Sequence, residues 1–225
     1  MRKADIKKYF YYIHRLVFSD YPIKMKIHII TRYIGMAFTI IFEKIRGLDY
    51  TMLYVTSEKG TAYTKTPKKI LNRVFNDFSE KDNKSFIDVG CGKGFVVSQA
   101  SKAGFKYAGG VEFNSHLYDI CIKNLTKEKL PIDYIYNEDA GTSKHIGQFD
   151  IYFFNNPFGD EILKPVVENI INSHKDKKCW IYWLNPSACS AKMKTIEDAG
   201  FHFIKTIEDK DETYFSLNVY SNIKE

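Results

Sequence analysis

Four short runs of the 225-residue sequence carry residue types that could do chemistry together. Phe86-Ile87-Asp88-Val89-Gly90-Cys91-Gly92-Lys93-Gly94 closes a β-rich run with three glycines ahead of a helical pattern. Glycine there lets the backbone turn tightly and approach a ligand, while the following helix presents its N-terminal N–H groups, so Asp88, Gly90, Gly92 and Gly94 form a candidate cradle. A glycine-rich turn without a ligand is the plain alternative, and G-x-G alone does not exclude it. Glu112 ends the next β-rich run, 24 residues after Asp88 and 18 after Gly94. In dinucleotide-binding folds an acid at this place accepts hydrogen bonds from ribose hydroxyls, so two elements in register point to a nucleoside ligand.

The third run is Glu138-Asp139-Ala140, where a carboxylate could accept from an adenine amino group and a backbone N–H could reach a ring nitrogen. Taken alone, Asp139 reads as a helix cap or turn residue. The fourth, Phe153-Phe154-Asn155-Asn156-Pro157-Phe158, brings an amide, backbone carbonyls and an aromatic face out of a strand. The carboxyl edge of an open α/β sheet is where such groups meet ligands.

The elements that must position these runs alternate short β-rich stretches with longer helical ones, the mark of an α/β fold with a mostly parallel sheet. Thr66 as cap and Pro67 at the first position predict a helix from Pro67 to about Phe78. Strands are expected at Ser85–Val89, Tyr107–Val111, Ile132–Tyr136, Asp150–Phe154 and Cys179–Leu184. Helices are expected at Phe95–Ala103, Ser115–Leu125, Glu161–Ser173 and Ala188–Ala199, the last stopped by Gly200. Phe201–Ile207 and Thr213–Tyr220 are joined by a link too short for a parallel crossover, so they predict an antiparallel hairpin that completes seven strands.

Composition bounds the rest. With 44% hydrophobic and 27% charged residues, the sequence is that of a packed domain rather than a disordered one. Cys91, Cys121, Cys179 and Cys189 show neither C-x-x-C pairing nor zinc spacing, so no disulfide framework or metal site is expected and a cytoplasmic setting is. The net charge of +6 is uneven: residues 1–46 hold ten Lys/Arg against three Asp/Glu, and residues 47–225 hold 23 against 24. Ile6, Tyr9, Phe10, Ile13, Leu16 and Val17 predict an amphipathic helix, and 27–45 a second that is apolar nearly all round. Its longest uncharged run, ten residues, falls short of the about 20 a membrane span needs. The chain thus divides into a basic helical extension, 1–46, and a main domain, 47–225. The extension is expected to cap the domain, with a membrane-surface contact and a homodimer contact as the other readings.

With these residues in place, FIDVGCGKG resembles the first motif of the class I S-adenosylmethionine-dependent methyltransferases. VEFN is similar to their acidic loop after strand two, EDA to their adenine-contacting loop, and FFNNPF to their fourth motif. The resemblance covers roughly Tyr63 to Tyr220. GTAYTKTP, ahead of the first motif, narrows it to small bacterial methyltransferases distantly similar to the histone-methylating type. It implies a three-layer Rossmann-like sandwich with S-adenosylmethionine as cofactor and S-adenosylhomocysteine as product. By the same resemblance Asp88, Gly90, Gly92 and Gly94 hold the methionine moiety, Glu112 the ribose, and Asp139 with the Ala140 backbone the adenine. Asn155, Pro157 and Phe158 line the junction of methyl and acceptor, and Tyr63 closes over the cofactor. Asn156 stands where the family's familiar Asn-Pro-Pro-Phe/Tyr form has its first proline.

The implied reaction is methyl transfer to an N or O acceptor, in which Asn155, whose amide does not titrate and so cannot act as a general base, accepts an N–H hydrogen bond from an amine or amide. The acceptor is expected to be a small molecule, glycan or protein. A nucleic-acid base is the less favoured alternative, because the main domain is near neutral and lacks a recognition module. A nicotinamide oxidoreductase is disfavoured by the missing G-x-G-x-x-G spacing and by the N-N-P-F run. A non-catalytic adenosyl-binding scaffold, peripheral at the membrane, is the remaining alternative.

Overall fold

The runs Ile151-Tyr152-Phe153-Phe154 and Trp180-Ile181-Tyr182-Trp183-Leu184 are apolar at successive positions, so strands built from them must be covered on both faces. In the computed structural model, which describes residues 22–51, 63–185, 190–208 and 216–224, they are the middle of a seven-stranded sheet. Its strands are β1 (Ser85–Val89), β2 (Tyr107–Val111), β3 (Ile135–Tyr136), β4 (Ile151–Phe154), β5 (Trp180–Leu184), β6 (His202–Glu208) and β7 (Ser216–Ser221). The order is β3-β2-β1-β4-β5-β7-β6, with β1 to β5 parallel and β7 antiparallel to both β5 and β6. The helices are α1 (Ile23–Ile45), α2 (Lys68–Asn76), α3 (Phe95–Lys102), α4 (Ser115–Lys127), α5 (Asp160–Ser173) and α6 (Ser190–Asp198). The chain divides into two units, Met1–Arg46 and Gly47–Glu225.

Alternation along the strands sorts the core of the larger unit into two layers. Phe86, Phe153 and Tyr182 face α2, α3 and α4, where they pack with Leu71, Val74, Val97 and Leu125. Ile87, Tyr152 and Trp183 face α5 and α6, packing with Leu163, Val167, Ile170 and Ile196. At the N-terminal edge, Asp150 accepts hydrogen bonds from the Ser85 N–H at 2.8 Å and hydroxyl at 2.7 Å, and pairs with Lys177 at 2.6 Å. This ties the starts of β1 and β4 to the segment entering β5.

Register then sets the opposite edge. Val89 pairs with both Val111 and Phe154, so β1, β2 and β4 finish at one level and release Gly90, Glu112 and Asn155 side by side. Sheet order reverses between β1 and β4, the switch point at which open α/β sheets leave a crevice.

Three local readings are corrected. β3 spans two residues rather than Ile132–Tyr136: Pro131 and Asp133 disfavour pairing, and Ile132 accepts from the Ile135 N–H in a turn at 3.1 Å. Thr66 does not cap α2; Pro67 holds the cap position, and the Thr66 hydroxyl accepts from Asn155 instead. The second N-terminal helix begins at Ile23, just after Pro22, a turn earlier than expected. The helix expected over Ile6 to Val17 lies outside the described residues, as do the starts of the last expected helix and the last expected strand.

Candidate functional site

One cleft opens at the carboxyl edge of the sheet, and its walls come from every run singled out in the sequence. Tyr63, Asp88, Gly90, Gly92, Glu112, Asp139, Ala140, Asn155, Pro157 and Phe158 all line it. Gly94 does not: it is the N-cap of α3, with φ of +80°, where a side chain would meet the Cys121 thiol. Its part is to bring α3 and α4 together beneath the turn.

The turn after β1 is built on left-handed glycines. Gly90 has φ of +81°, and a β-carbon there would lie 2.4 Å from Cβ of Pro157; at Gly92 it would lie 2.3 Å from the Tyr63 ring. A β-carbon is therefore excluded twice at each position, by conformation and by contact. Tyr63 is held by its hydroxyl, which donates to the Tyr50 carbonyl at 2.8 Å, while the Lys93 ammonium lies 5.5 Å from its ring centre.

Glu112 ties the loop after β2 to this turn. Its carboxylate accepts from the N–H of Gly92 and from the N–H of Asn114, each at 2.8 Å. Asn114 in turn caps α4 by accepting from the Leu117 N–H. Burial raises the pKa of Glu112, an effect that the backbone hydrogen bonds reduce but do not cancel. Asp88, only 4% exposed, is pushed well above the usual carboxylate range by burial first and by the Glu112 charge second. Among the described residues its carboxylate accepts no hydrogen bond.

Asp139 folds onto its own loop, accepting from the Gly141 N–H at 2.8 Å. Glu138 beside it accepts from the Ser143 hydroxyl and stands 3.1 Å from Nδ1 of His145, whose ring stacks on Tyr136.

After β4 the chain is held from both sides. The Asn155 amide donates to the Thr66 hydroxyl at 3.2 Å, and its Oδ1 accepts no hydrogen bond among the described residues. Asn156 adopts φ of +46°, a conformation that asparagine tolerates better than most residues. Lys192 from α6 donates to the Asn156 Oδ1 and the Phe158 carbonyl, both at 2.6 Å, fixing that turn. Phe158 packs edge-on against Phe154, itself stacked on Trp183.

Several contributors were not singled out by sequence. Thr66, Lys192 and Asn124 act across gaps of tens of residues: the Asn124 amide donates to the carbonyls of Asp49 and Lys93 and accepts from the Asp49 N–H. Lys93, 2% exposed, pairs with Asp49 at 2.8 Å. The Thr66 position was marked by GTAYTKTP; nothing local marks the other two.

No protein-family model and no curated protein matches the sequence. Solved structures do match in fold, and the fold is that of the class I S-adenosylmethionine-dependent methyltransferases. A methyltransferase from Pyrococcus furiosus superposes with a TM-score of 0.58 at 14% identity, covering 85% of this chain and 98% of that one. The ribosomal protein L11 methylase of Lactobacillus delbrueckii subsp. bulgaricus gives 0.52 at 14% identity, over 67% and 77% of the two chains. The magnesium protoporphyrin IX methyltransferase of Synechocystis, solved with bound S-adenosylmethionine, gives 0.52 at 13% identity, over 68% and 76%.

Proposed function

We propose that this protein is an S-adenosylmethionine-dependent methyltransferase acting on a nitrogen or oxygen of a small molecule, glycan or protein. The observation that carries the reading is the Asp88 carboxylate, buried in the cleft beside Glu112 and accepting no hydrogen bond among the described residues. Burial and the Glu112 charge oppose its ionisation, and an ammonium-bearing ligand in the cleft would favour the charged form. The lining suits the rest of such a ligand: Glu112 to accept from ribose hydroxyls, Asp139 and the Ala140 backbone for adenine, and Phe95, Val111 and Leu117 as apolar wall.

Bound S-adenosylmethionine supplies a methyl group already activated by its positive sulfonium sulfur. What this chain contributes is position. The left-handed turn at Gly90 and Gly92 keeps side chains off the cradle, and Tyr63 bounds it from the N-terminal side. Thr66 fixes one end of the Asn155 amide, so its oxygen is the atom left to accept an N–H and orient a lone pair. Lys192 keeps the carbonyls of the Asn156–Phe158 turn from drifting, and orientation of this kind accounts for much of a bimolecular barrier.

Calorimetric titration with S-adenosylmethionine, S-adenosylhomocysteine and NADH, repeated on Glu112→Ala, tests the reading. Binding of the two adenosyl ligands alone, weakened in the variant, is expected and opens an acceptor screen with methyl-labelled cofactor. A folded sample that binds neither adenosyl ligand overturns it.

A further inference from the structure

Helix α1 is 23 residues long, and its large apolar side chains are exposed. Ile27, Ile34, Phe38, Ile41 and Phe42, with Ile23 and Ile45 at the ends, are between 51% and 79% exposed. At about 100° per residue these positions fall within an arc of about 100°, a stripe running some 34 Å, roughly the whole helix. Lys24 and Lys44 are exposed on its two shoulders, and the Arg46 guanidinium lies 5.8 Å from the Phe42 ring centre at the stripe's edge. Glu43, the helix's single acid, is on the far side and 7% exposed. No helix among the described residues is long and apolar enough to cross a membrane.

We propose that this stripe lies in the plane of an anionic lipid bilayer surface. An apolar arc flanked by cations is the pattern of a helix sunk about 5–10 Å into the headgroup boundary, with lysines reaching back to the lipid charges. Charge complementarity selects lipid over a second copy of the chain. Residues 1–46 hold ten Lys/Arg against three Asp/Glu, so a second copy brought against α1 would carry the same excess of positive charge. Anionic headgroups answer that excess directly. The proposal is independent of the methyltransferase reading.

The test is sedimentation of the full chain with vesicles of phosphatidylcholine alone and of phosphatidylcholine mixed with phosphatidylglycerol. Partitioning is expected to be at least about tenfold stronger onto the anionic vesicles. Lys24→Gln with Lys44→Gln should lower it about 25-fold, roughly fivefold per charge. Phe38→Ser with Ile41→Ser should lower it tenfold or more by removing apolar contact, with circular dichroism and the urea unfolding midpoint retained. Absence of vesicle binding, or equal binding to neutral and anionic vesicles, overturns the proposal. So does a dimer, seen by light scattering, that the Phe38/Ile41 variant converts to monomer while vesicles take up neither form.

Discussion

Gly90 and Pro157 pack so closely that a β-carbon added to the glycine would lie 2.4 Å from Cβ of the proline. The turn after β1 and the turn after β4 are therefore one packed unit, although 67 residues separate them in sequence. The cradle and the Asn155–Phe158 loop cannot shift independently.

Gly90→Ala should consequently cost about 1–3 kcal/mol of stability and weaken S-adenosylhomocysteine binding tenfold or more. Gly104→Ala is the internal control: φ there is +87°, but nothing lies within 4 Å of the added carbon. It carries the backbone strain without the collision, so its ligand affinity should be unchanged. Urea unfolding and calorimetry on both variants separate the two effects.

Ligand binding should release protons. Asp88 and Glu112 both titrate above the ordinary carboxylate range in the ligand-free protein, chiefly through burial. Protons held at those sites must leave before the carboxylates can meet a cationic ligand, so affinity for S-adenosylmethionine should rise with pH through the raised values and then level off. The free protein behaves oppositely. A carboxyl whose folded pKa is raised binds more protons folded than unfolded, so stability falls as pH climbs from about 4 through the folded value. Titration in buffers of different ionisation enthalpy measures the proton release, and Asp88→Asn should abolish much of it.

Much of this site was legible in sequence because its parts are local. The runs DVGCGKG, VEF, EDA and NNPF each follow a strand, and the register of β1 with β2 and β4 brings those ends to one level. What was not legible is what holds the runs. Thr66 read as a helix cap because capping is the local habit of threonine before proline, and only the packed fold brings the Asn155 amide to its hydroxyl. Lys192 and Asn124 are ordinary polar residues in helical patterns until the chain closes on them. β3 failed for a different reason: its apolar residues matched a strand, but Ile132 accepts from the Ile135 N–H in a turn, so pairing with β2 begins only at its far end.

On the proposed reading, in which Asn155 orients the acceptor, Asn155→Ala should lower methyl transfer by about a hundredfold with little change in cofactor affinity. Thr66→Val removes only the hydroxyl that fixes the amide, and a smaller loss in the same parameter is expected. Labelled-methyl transfer and calorimetry on each variant check the split; equal loss of cofactor binding would assign both residues to the cradle instead.

Asp150→Ala should destabilise the fold by about 2–3 kcal/mol, since it strips the buried Ser85 N–H and hydroxyl of their acceptor. Burial opposes ionisation of Asp150, but the Lys177 ammonium and the Ser85 hydrogen bonds outweigh it and hold the pKa below the ordinary value. A depressed carboxylate stabilises the fold above about pH 4 and loses that contribution as pH falls through its folded value. Asp150→Asn should keep part of the stability while removing that acid dependence, as followed by denaturant titration at two pH values.

The position of β7 in the sheet bears on how the molecule comes into being. A chain synthesised from its N-terminus can assemble β3-β2-β1-β4-β5 as each crossover emerges, but β6 is made next and has no partner yet, because the strand that joins it to β5 is the last in chain order. Until residues 216–221 arrive, β5 keeps an open apolar edge and 202–208 remain unpaired. β7 works as a keystone, closing an edge that until then stays open to mispairing.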